Sequence, residues 1–338
     1  MLNHTDVKKT RAVIDLNAIA GNYMHTAKAC APAKVAAVVK ADAYGHGALA
    51  VAKRLNAVGC DFFTVSNIDE ALELRTGGIT GTILVLGYVL DEFLPEAVEN
   101  DISLAVDTVA HLKTILRAAD GRPVKIHIKL DTGMNRTGFF AKGDGASLDE
   151  ELHKAVELIE KHPNLVCEGI FSHFAVADEP DGTAFTETQY ARFTETVEKL
   201  RALGLKPTYR HICNSAGIVR FPRMHLDAVR MGVTLYGCGD LDSACVPAMT
   251  FKTRVINVHT LKKGESVSYG CTYTADADRR IAVIGAGYAD GYKRCLSGKG
   301  YVLCHGKKAP LVGRICMDMA MDHIRPLGVF PCQHRIVT

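Results

Sequence analysis

"VAAVVKADAYGHG", residues 35–47, sets an unbroken apolar run against a lysine, followed at once by turn residues and two glycines. Val and Ala in close succession fit a strand buried on both faces, as parallel strands are. Lys40 stands where that strand stops, and helical periodicity resumes over Ala48–Ala57, beyond Gly45 and Gly47. Strand, loop and helix together make one β-α unit, and the chain repeats it. Further apolar runs are "FFTVS" (62–66), "TILVLG" (82–87), "ISLAVD" (102–107), "VKIHIKLD" (124–131), "VCEGIFSHF" (166–174), "RHICNSA" (210–216) and "LDAVRMG" (226–232). Helical segments lie between them, among them "NIDEALELRTGG" (67–78), Thr108–Ala119 and Thr186–Leu203. Eight such units predict an α/β fold, a (β/α)₈ TIM-type barrel over residues 11–239, in preference to an open doubly wound sheet.

Beyond Gly239 the texture changes. "MTFKTRVINVHTLKKGESVSYG", "RRIAVIGAGY" and "YVLCHGKKAPLVGRICM" alternate apolar and polar residues, with Lys-Lys-Gly and Gly-Lys-Lys turns between them. Residues 240–338 therefore read as a second, mainly-β domain.

Bulk properties narrow the function. The 338 residues are 48% hydrophobic and 23% charged, with a net charge of +3, too small and too evenly spread for a nucleic acid or anionic membrane partner. The eleven cysteines include no C-x-x-C pair and lie mostly in apolar segments, so they read as buried hydrophobes in a reducing compartment. "MLNHTDVKKT" has no apolar core of a secretory signal, and no apolar stretch is long enough to span a bilayer. A cytoplasmic protein is expected. No metal-ligand spacing is present, so no metal is expected.

In such a barrel, functional groups gather at the C-terminal ends of the strands. There the chain offers Lys40, Asp107, Lys129 with Arg136 beyond it, His173, Asn214 with Ser215, and Arg230. Each has a plain alternative: Lys40 as an edge cation in water, Arg136 as a loop arginine, His173 as a hydrogen-bonded core histidine. A lysine drawn into a partly apolar mouth instead becomes a good Schiff-base nucleophile. Tyr44 follows four positions on. "NSAG" after the seventh run and "RMGV" after the eighth offer the Ser215 hydroxyl and the Gly232 and Val233 backbone amides to an anion. Ordinary tight turns are the alternative. Pyridoxal 5′-phosphate (PLP) fits the set, with its phosphate at these loops, its aldehyde on Lys40 and its ring nitrogen facing Arg230. An arginine does not readily give up its proton, so that nitrogen would stay largely unprotonated. This disfavours transamination and suits simple removal and return of a proton.

Taken together, "VVKADAYGHG", "KLDTGMNRTG", "CNSAG", "VRMGVTLYG", "VSYGCTY", "GYADGY" and "GRICMDM" resemble the alanine racemase family, from about Arg11 to Asp322. The resemblance implies a PLP enzyme that interconverts L- and D-alanine, supplying D-alanine for peptidoglycan. It implies Lys40 and Tyr269 as the two catalytic bases, Tyr269 reaching the pocket from the partner subunit of a homodimer. Tyr44, His173, Asn214, Ser215, Arg230, Gly232 and Val233 would then surround the cofactor, with Asn214 a positioning residue. Arg136, Met317 and Asp318 would serve the substrate, and Lys129 matches a position often carbamylated. The first strand, about 11–19 in "RAVIDLNAI", would pack with the second domain.

Departures are Met231 where proline is usual, Asn135 where glycine or histidine is common, and the end of the chain. After Asp322 it reads "HIRPLGVFPCQHRIVT", with no tyrosine beyond Tyr301, where the family continues and carries a phosphate-binding tyrosine. The second domain is therefore expected to be incomplete, with unpaired edges. Serine racemisation, or a shortened PLP-binding protein with little turnover, are the other readings. A basic amino-acid decarboxylase fits poorly, because an arginine stands where those enzymes place a carboxylate.

Overall fold

The computed structural model describes residues 9–142 and 149–323, together with the backbone of 333–336. The chain divides into two compact units. One is Asp15–Ala248; the other joins the N-terminal strand to the chain from Met249 onward.

The first unit is a parallel barrel. Its strands are Lys34–Val38, Phe62–Val65, Thr82–Val85, Ser103–Val106, Val124–Asp131, Leu165–Phe171, Tyr209–His211 and Ala228–Met231. Each lies at one of the eight apolar runs. The first seven pair in chain order, and the eighth pairs with the first, Ala228 opposite Lys34. Helices capped by side chains separate them. Asn67 accepts from the Glu70 amide and Thr108 from that of His111, as N-cap residues do. One interior cluster is Ala36, Phe62, Leu84 and Ala228, two small residues making room for two large ones.

Closure between the seventh and eighth strands is irregular. Backbone bonds run from Asp227 N to Arg210 O and from Arg230 N to Cys213 O. The Asp227 carboxylate also accepts from the backbone and guanidinium of Arg210 at 2.6–3.0 Å.

The barrel unit runs beyond the Gly239 boundary expected from the pattern, because Asn22 ties the following segment down. Its amide donates to Leu235 O and Val246 O and accepts from Val246 N, and Ala248 N reaches Tyr236 O. The first strand is likewise shorter than 11–19. It spans Thr10–Ile14, and Asp15 then caps the helix Leu16–Cys30 by accepting from the Asn17 and Ala18 amides.

The second unit is built on the long strand Met249–Leu261. Its first half pairs antiparallel with Thr10–Ile14 on one edge and Gln333–Ile336 on the other. Past an irregularity between Val255 and Asn257 it pairs with Arg279–Ile284, which carries Ala320–His323. Ile284, Tyr292, Val302, Ile315 and Ala320 form one buried cluster, and Leu261, Ile281, Val312 and Met321 another. Residues 324–332, on which the expectation of an incomplete domain chiefly rests, lie outside the described residues. Gln333–Ile336 pairs on both sides, with Met249–Leu261 and Tyr301–Cys304.

Nine described cysteines, Cys304 aside, are free. Cys30, Cys60, Cys213, Cys245 and Cys304 are buried, but Cys238, Cys271 and Cys295 are exposed, contrary to the expectation of buried hydrophobes. No helix among the described residues is long and apolar enough to cross a membrane.

Candidate active site

Lys40 leaves its strand through a turn of the wrong hand. Ala41, Asp42, Ala43 and Tyr44 all have φ between 51° and 56°, a left-handed stretch that costs about 1–2 kcal/mol per non-glycine residue. Neighbours hold it there. Glu70 accepts from the Ala41 amide at 2.6 Å, and Asp42 accepts from the Ala48 amide at 2.7 Å, anchoring the turn to the next helix. His46 Nδ1 lies 3.0 Å from Ala43 O and 3.1 Å from Tyr44 O, so that nitrogen carries the proton. Beneath the turn, the Tyr236 ring packs against Tyr44 and His46 while its hydroxyl donates to Val38 O.

The turn delivers Lys40 and Tyr44 to a cavity of about 250 Å³, also lined by His173, Asn214, Ser215, Arg230, Gly232 and Val233. Ser215 Oγ accepts from Gly232 N at 2.9 Å and from Thr234 Oγ1 at 3.1 Å, which leaves its own proton to donate. A Cβ on Gly232 would come within 3.2 Å of the Tyr44 hydroxyl and 3.7 Å of Ser215 Oγ. Two hydroxyls thus converge on bare backbone, a cradle suited to a phosphate. Asn214 lines the same cavity, and its Oδ1 is engaged by its own helix. Its side chain accepts from Gly217 N and caps the short helix Ser215–Arg220.

Arg230, which lines the same cavity, is 3% exposed. Its guanidinium donates to the carbonyls of Ser172, His211 and Ile212, and to the Nδ1 atoms of His211 (2.6 Å) and His173 (3.0 Å). Among the described residues no carboxylate touches it. Burial lowers its pKa to about 10, so it stays charged at neutral pH. Because arginine only donates, both histidines must accept at Nδ1 and carry their proton on Nε2. Burial, then the positive charges of Arg230, Arg136, Lys40 and Lys129, holds His173 well below its usual pKa, hence neutral.

Lys129 and Arg136 line an adjoining cavity of about 310 Å³ that shares Lys40, His173 and Arg230 with the first. Burial, with repulsion from Arg136 and Arg230, pulls the Lys129 amine down to about 8 against the attraction of Asp107 and Asp131. The loop bearing Arg136 is organised by Asp131, which accepts from the Gly133 and Asn135 amides and pairs with Lys142. Asn135 itself sits at φ 58°, a conformation asparagine tolerates better than most residues.

Tyr269, Met317 and Asp318 belong to the second unit. Tyr269 is 66% exposed and Met317 54%. Their turns are joined, for Ser268 Oγ donates to Arg314 O at 2.6 Å and lies 3.6 Å from Cys316 Sγ. Asp318 O accepts from Lys9 Nζ.

Sequence reasoning missed a buried chain behind Arg230. His211 Nε2 lies 3.0 Å from His127 Nδ1, and His127 Nε2 lies 3.0 Å from Glu168. The available signal was the presence of histidine and glutamate inside otherwise apolar strands.

Comparison with known proteins agrees with this architecture. A model of the alanine racemase N-terminal domain matches residues 14–240, and one of the alanine racemase C-terminal domain matches residues 248–335. The alanine racemase of Desulfosudis oleivorans is 41% identical over 321 residues, covering 92% of this chain and 82% of that protein. That of Clostridium tetani is 40% identical over 332 residues, covering 94% and 83%. The solved alanine racemase of Streptomyces coelicolor A3(2) superposes with a TM-score of 0.92 at 31% identity, covering 99% of this chain and 90% of that one. That of E. faecalis gives 0.89 at 34%, covering 100% and 90%. With both domain models matched and both folds shared, this chain belongs to the alanine racemase family.

Proposed function

We propose that this protein interconverts L- and D-alanine with PLP bound in the barrel mouth. The observation that supports the reading is a cavity lined together by Lys40, by the Tyr44, Ser215 and Gly232 cradle and by the buried Arg230, which no carboxylate touches among the described residues. These groups match the cofactor's chemistry at both ends. Hydroxyls and bare backbone suit the phosphate, and a guanidinium that cannot readily lose its proton suits an unprotonated ring nitrogen. Bound PLP supplies an aldehyde for the substrate amine and a ring that takes up electron density from Cα.

The protein's own task is to move one proton on each face of that carbon. Lys40 Nζ removes or returns it on one face. Tyr269 Oη of a second copy does so on the other, which makes the working form a homodimer. The exposure of Tyr269 and Met317 supports that assignment, because both turns are available to a second copy. His173, held neutral with its proton on Nε2, is a suitable donor to a phenolic oxygen and would lower the pKa of such a phenol. Arg136, with Met317 and Asp318 of the second copy, orients the substrate carboxylate.

Lys129, its amine eased toward the neutral form, reacts with carbon dioxide to give a carbamate, releasing one proton. The new anion then fixes Arg136. The free thiols fit a cytoplasmic location, and D-alanine for peptidoglycan is the product's use.

The deciding experiment is the visible absorption of the purified chain with PLP, followed by conversion of L- to D-alanine. A band lost in Lys40→Ala together with turnover supports the reading. A band without turnover leaves only a PLP-binding protein, and conversion of L-serine in preference to L-alanine would reassign the substrate.

A further inference from the structure

A guanidinium buried to 3% exposure with no carboxylate in contact is a costly arrangement, since an uncompensated buried charge destabilises a fold severely. The hydrogen bonds behind Arg230 show how the barrel resolves it. Arg230 Nη1 donates to His211 Nδ1, which places the His211 proton on Nε2. That proton lies between His211 and His127, 3.0 Å apart, so His127 accepts at Nδ1 and carries its own proton on Nε2. His127 then donates to Glu168 Oε2 at 3.0 Å. The arginine thus dictates the direction of every bond, and the chain ends on an acceptor that is able to be an anion.

We propose that Glu168, His127 and His211 form a one-directional hydrogen-bond relay that positions Arg230 and balances its charge from the opposite end of the barrel. They are positioning residues, for none of them lines either cavity. Glu168 is further fixed by Ser103 Oγ at 2.6 Å and Thr82 Oγ1 at 3.4 Å. Those residues open their strands, so the relay starts at the N-terminal rim and ends in the mouth.

The backbone is shaped for it. Opposite the step from Ile126 to His127 the neighbouring strand steps from Cys167 to Gly169, making Glu168 the extra residue of a bulge. Bulges re-aim a side chain, and they are rare between parallel strands. Gly169 leaves the space the ring needs, because a Cβ there would stand 2.2 Å from His127 Nδ1.

The charge states agree with the geometry. Burial pushes the Glu168 carboxyl up, but hydrogen bonds from His127 and Ser103 outweigh it and the net direction is down. Burial lowers His127 and, joined by the Arg230 charge, takes His211 well below its usual value. Two neutral imidazoles therefore connect a cation to an anion. The catalytic consequence rests on Arg230 facing the PLP ring nitrogen, as proposed above; the relay itself is a property of the chain.

The test uses the full PLP-loaded chain labelled with ¹⁵N-histidine, examined by NMR at neutral pH. His127 and His211 are expected as neutral Nε2–H tautomers. An imidazolium or an Nδ1–H tautomer at either position overturns the relay. The second arm is Glu168→Gln, which keeps an acceptor oxygen for His127, removes the charge and turns the oxygen facing Thr82, whose hydroxyl is able to accept, into an amide donor. It is expected to move the bound PLP absorption band and to lower kcat/KM roughly ten- to a hundredfold, as losing a charged hydrogen bond does. A folded Glu168→Gln protein with the parent's band and kcat/KM also overturns it. If that variant does not fold, the parent's histidine spectrum decides. Failure of the cofactor reading looks different, with no PLP band in the parent while both tautomers are as expected.

Discussion

Glu168 in the barrel and Asp322 in the β unit are both carboxyl groups removed from water, and their surroundings drive them in opposite directions. Glu168 receives bonds from His127, Ser103 and Thr82 and is held below the usual carboxylate range. Asp322 is 0% exposed, neither of its oxygens has a hydrogen-bond partner among the described residues, and burial lifts its pKa to about 7. Burial raises both; the supply of donors decides which one stays charged. The barrel has invested glycine, bulge and two histidines in keeping an internal anion, whereas the strand Ala320–His323 has made no such provision.

The largest effect should come from cutting the barrel's chain. His127→Leu leaves the His211 Nε2–H without its acceptor and the Glu168 anion with Ser103 and Thr82 alone, and should destabilise the barrel by about 3–5 kcal/mol in urea unfolding. A loss under 1 kcal/mol would mean that the chain balances nothing. Asp322→Asn should act with the opposite sign. The folded-state pKa near 7 lies above the ordinary 3.8, so the folded form binds the proton more tightly. Stability is then highest below about pH 4, falls as pH rises toward 7, and stays low above it. At pH 8 the asparagine variant should be more stable by about 2 kcal/mol, less than the full shift implies because an amide is then buried. Its melting temperature should also change less than the parent's between pH 5 and 8. An unchanged slope would place the titrating group elsewhere. The smallest effect tests strain that is held locally instead of charge. Ala41→Gly relieves one left-handed residue and should stabilise by roughly 0.5–1 kcal/mol in thermal melts, provided Glu70 still holds the turn.

The same contrast explains what could be read in advance. Lys40, Tyr44, Ser215, Arg230 and Gly232 follow from one rule, that polar groups at the ends of buried parallel strands face the barrel mouth. His127 and Glu168 escaped it because they lie inside strands, and His211, though last in its strand, lines neither cavity. Their meeting depends on a register step at Glu168 and the missing side chain at Gly169, and neither is legible in an apolar pattern. The turn after Lys40 was misleading in another way. Its sequence offers Gly45 and Gly47 as the flexible points, yet the unusual backbone also falls on Ala41–Tyr44, imposed by Glu70, Asp42 and His46. The compact barrel unit continues past Gly239 to Ala248 for a similar reason. Composition changes at Gly239, but Asn22, more than two hundred residues earlier, holds Val246 to the barrel.

The irregular junction between the seventh and eighth strands has a consequence for the lifetime of the protein. There the Ile212 carbonyl is taken up by the Arg230 side chain, which also donates to His211 O. A closure that rests on two backbone bonds and on side chains is the natural place for sub-global opening to begin, and the Ser215–Gly232 cradle spans that same junction. A ligand bound across it holds the two strands together and lowers the population of open forms. If that ligand is the PLP proposed above, its shortage would shorten the protein's survival against proteases, so that an idle barrel is also the one most readily removed.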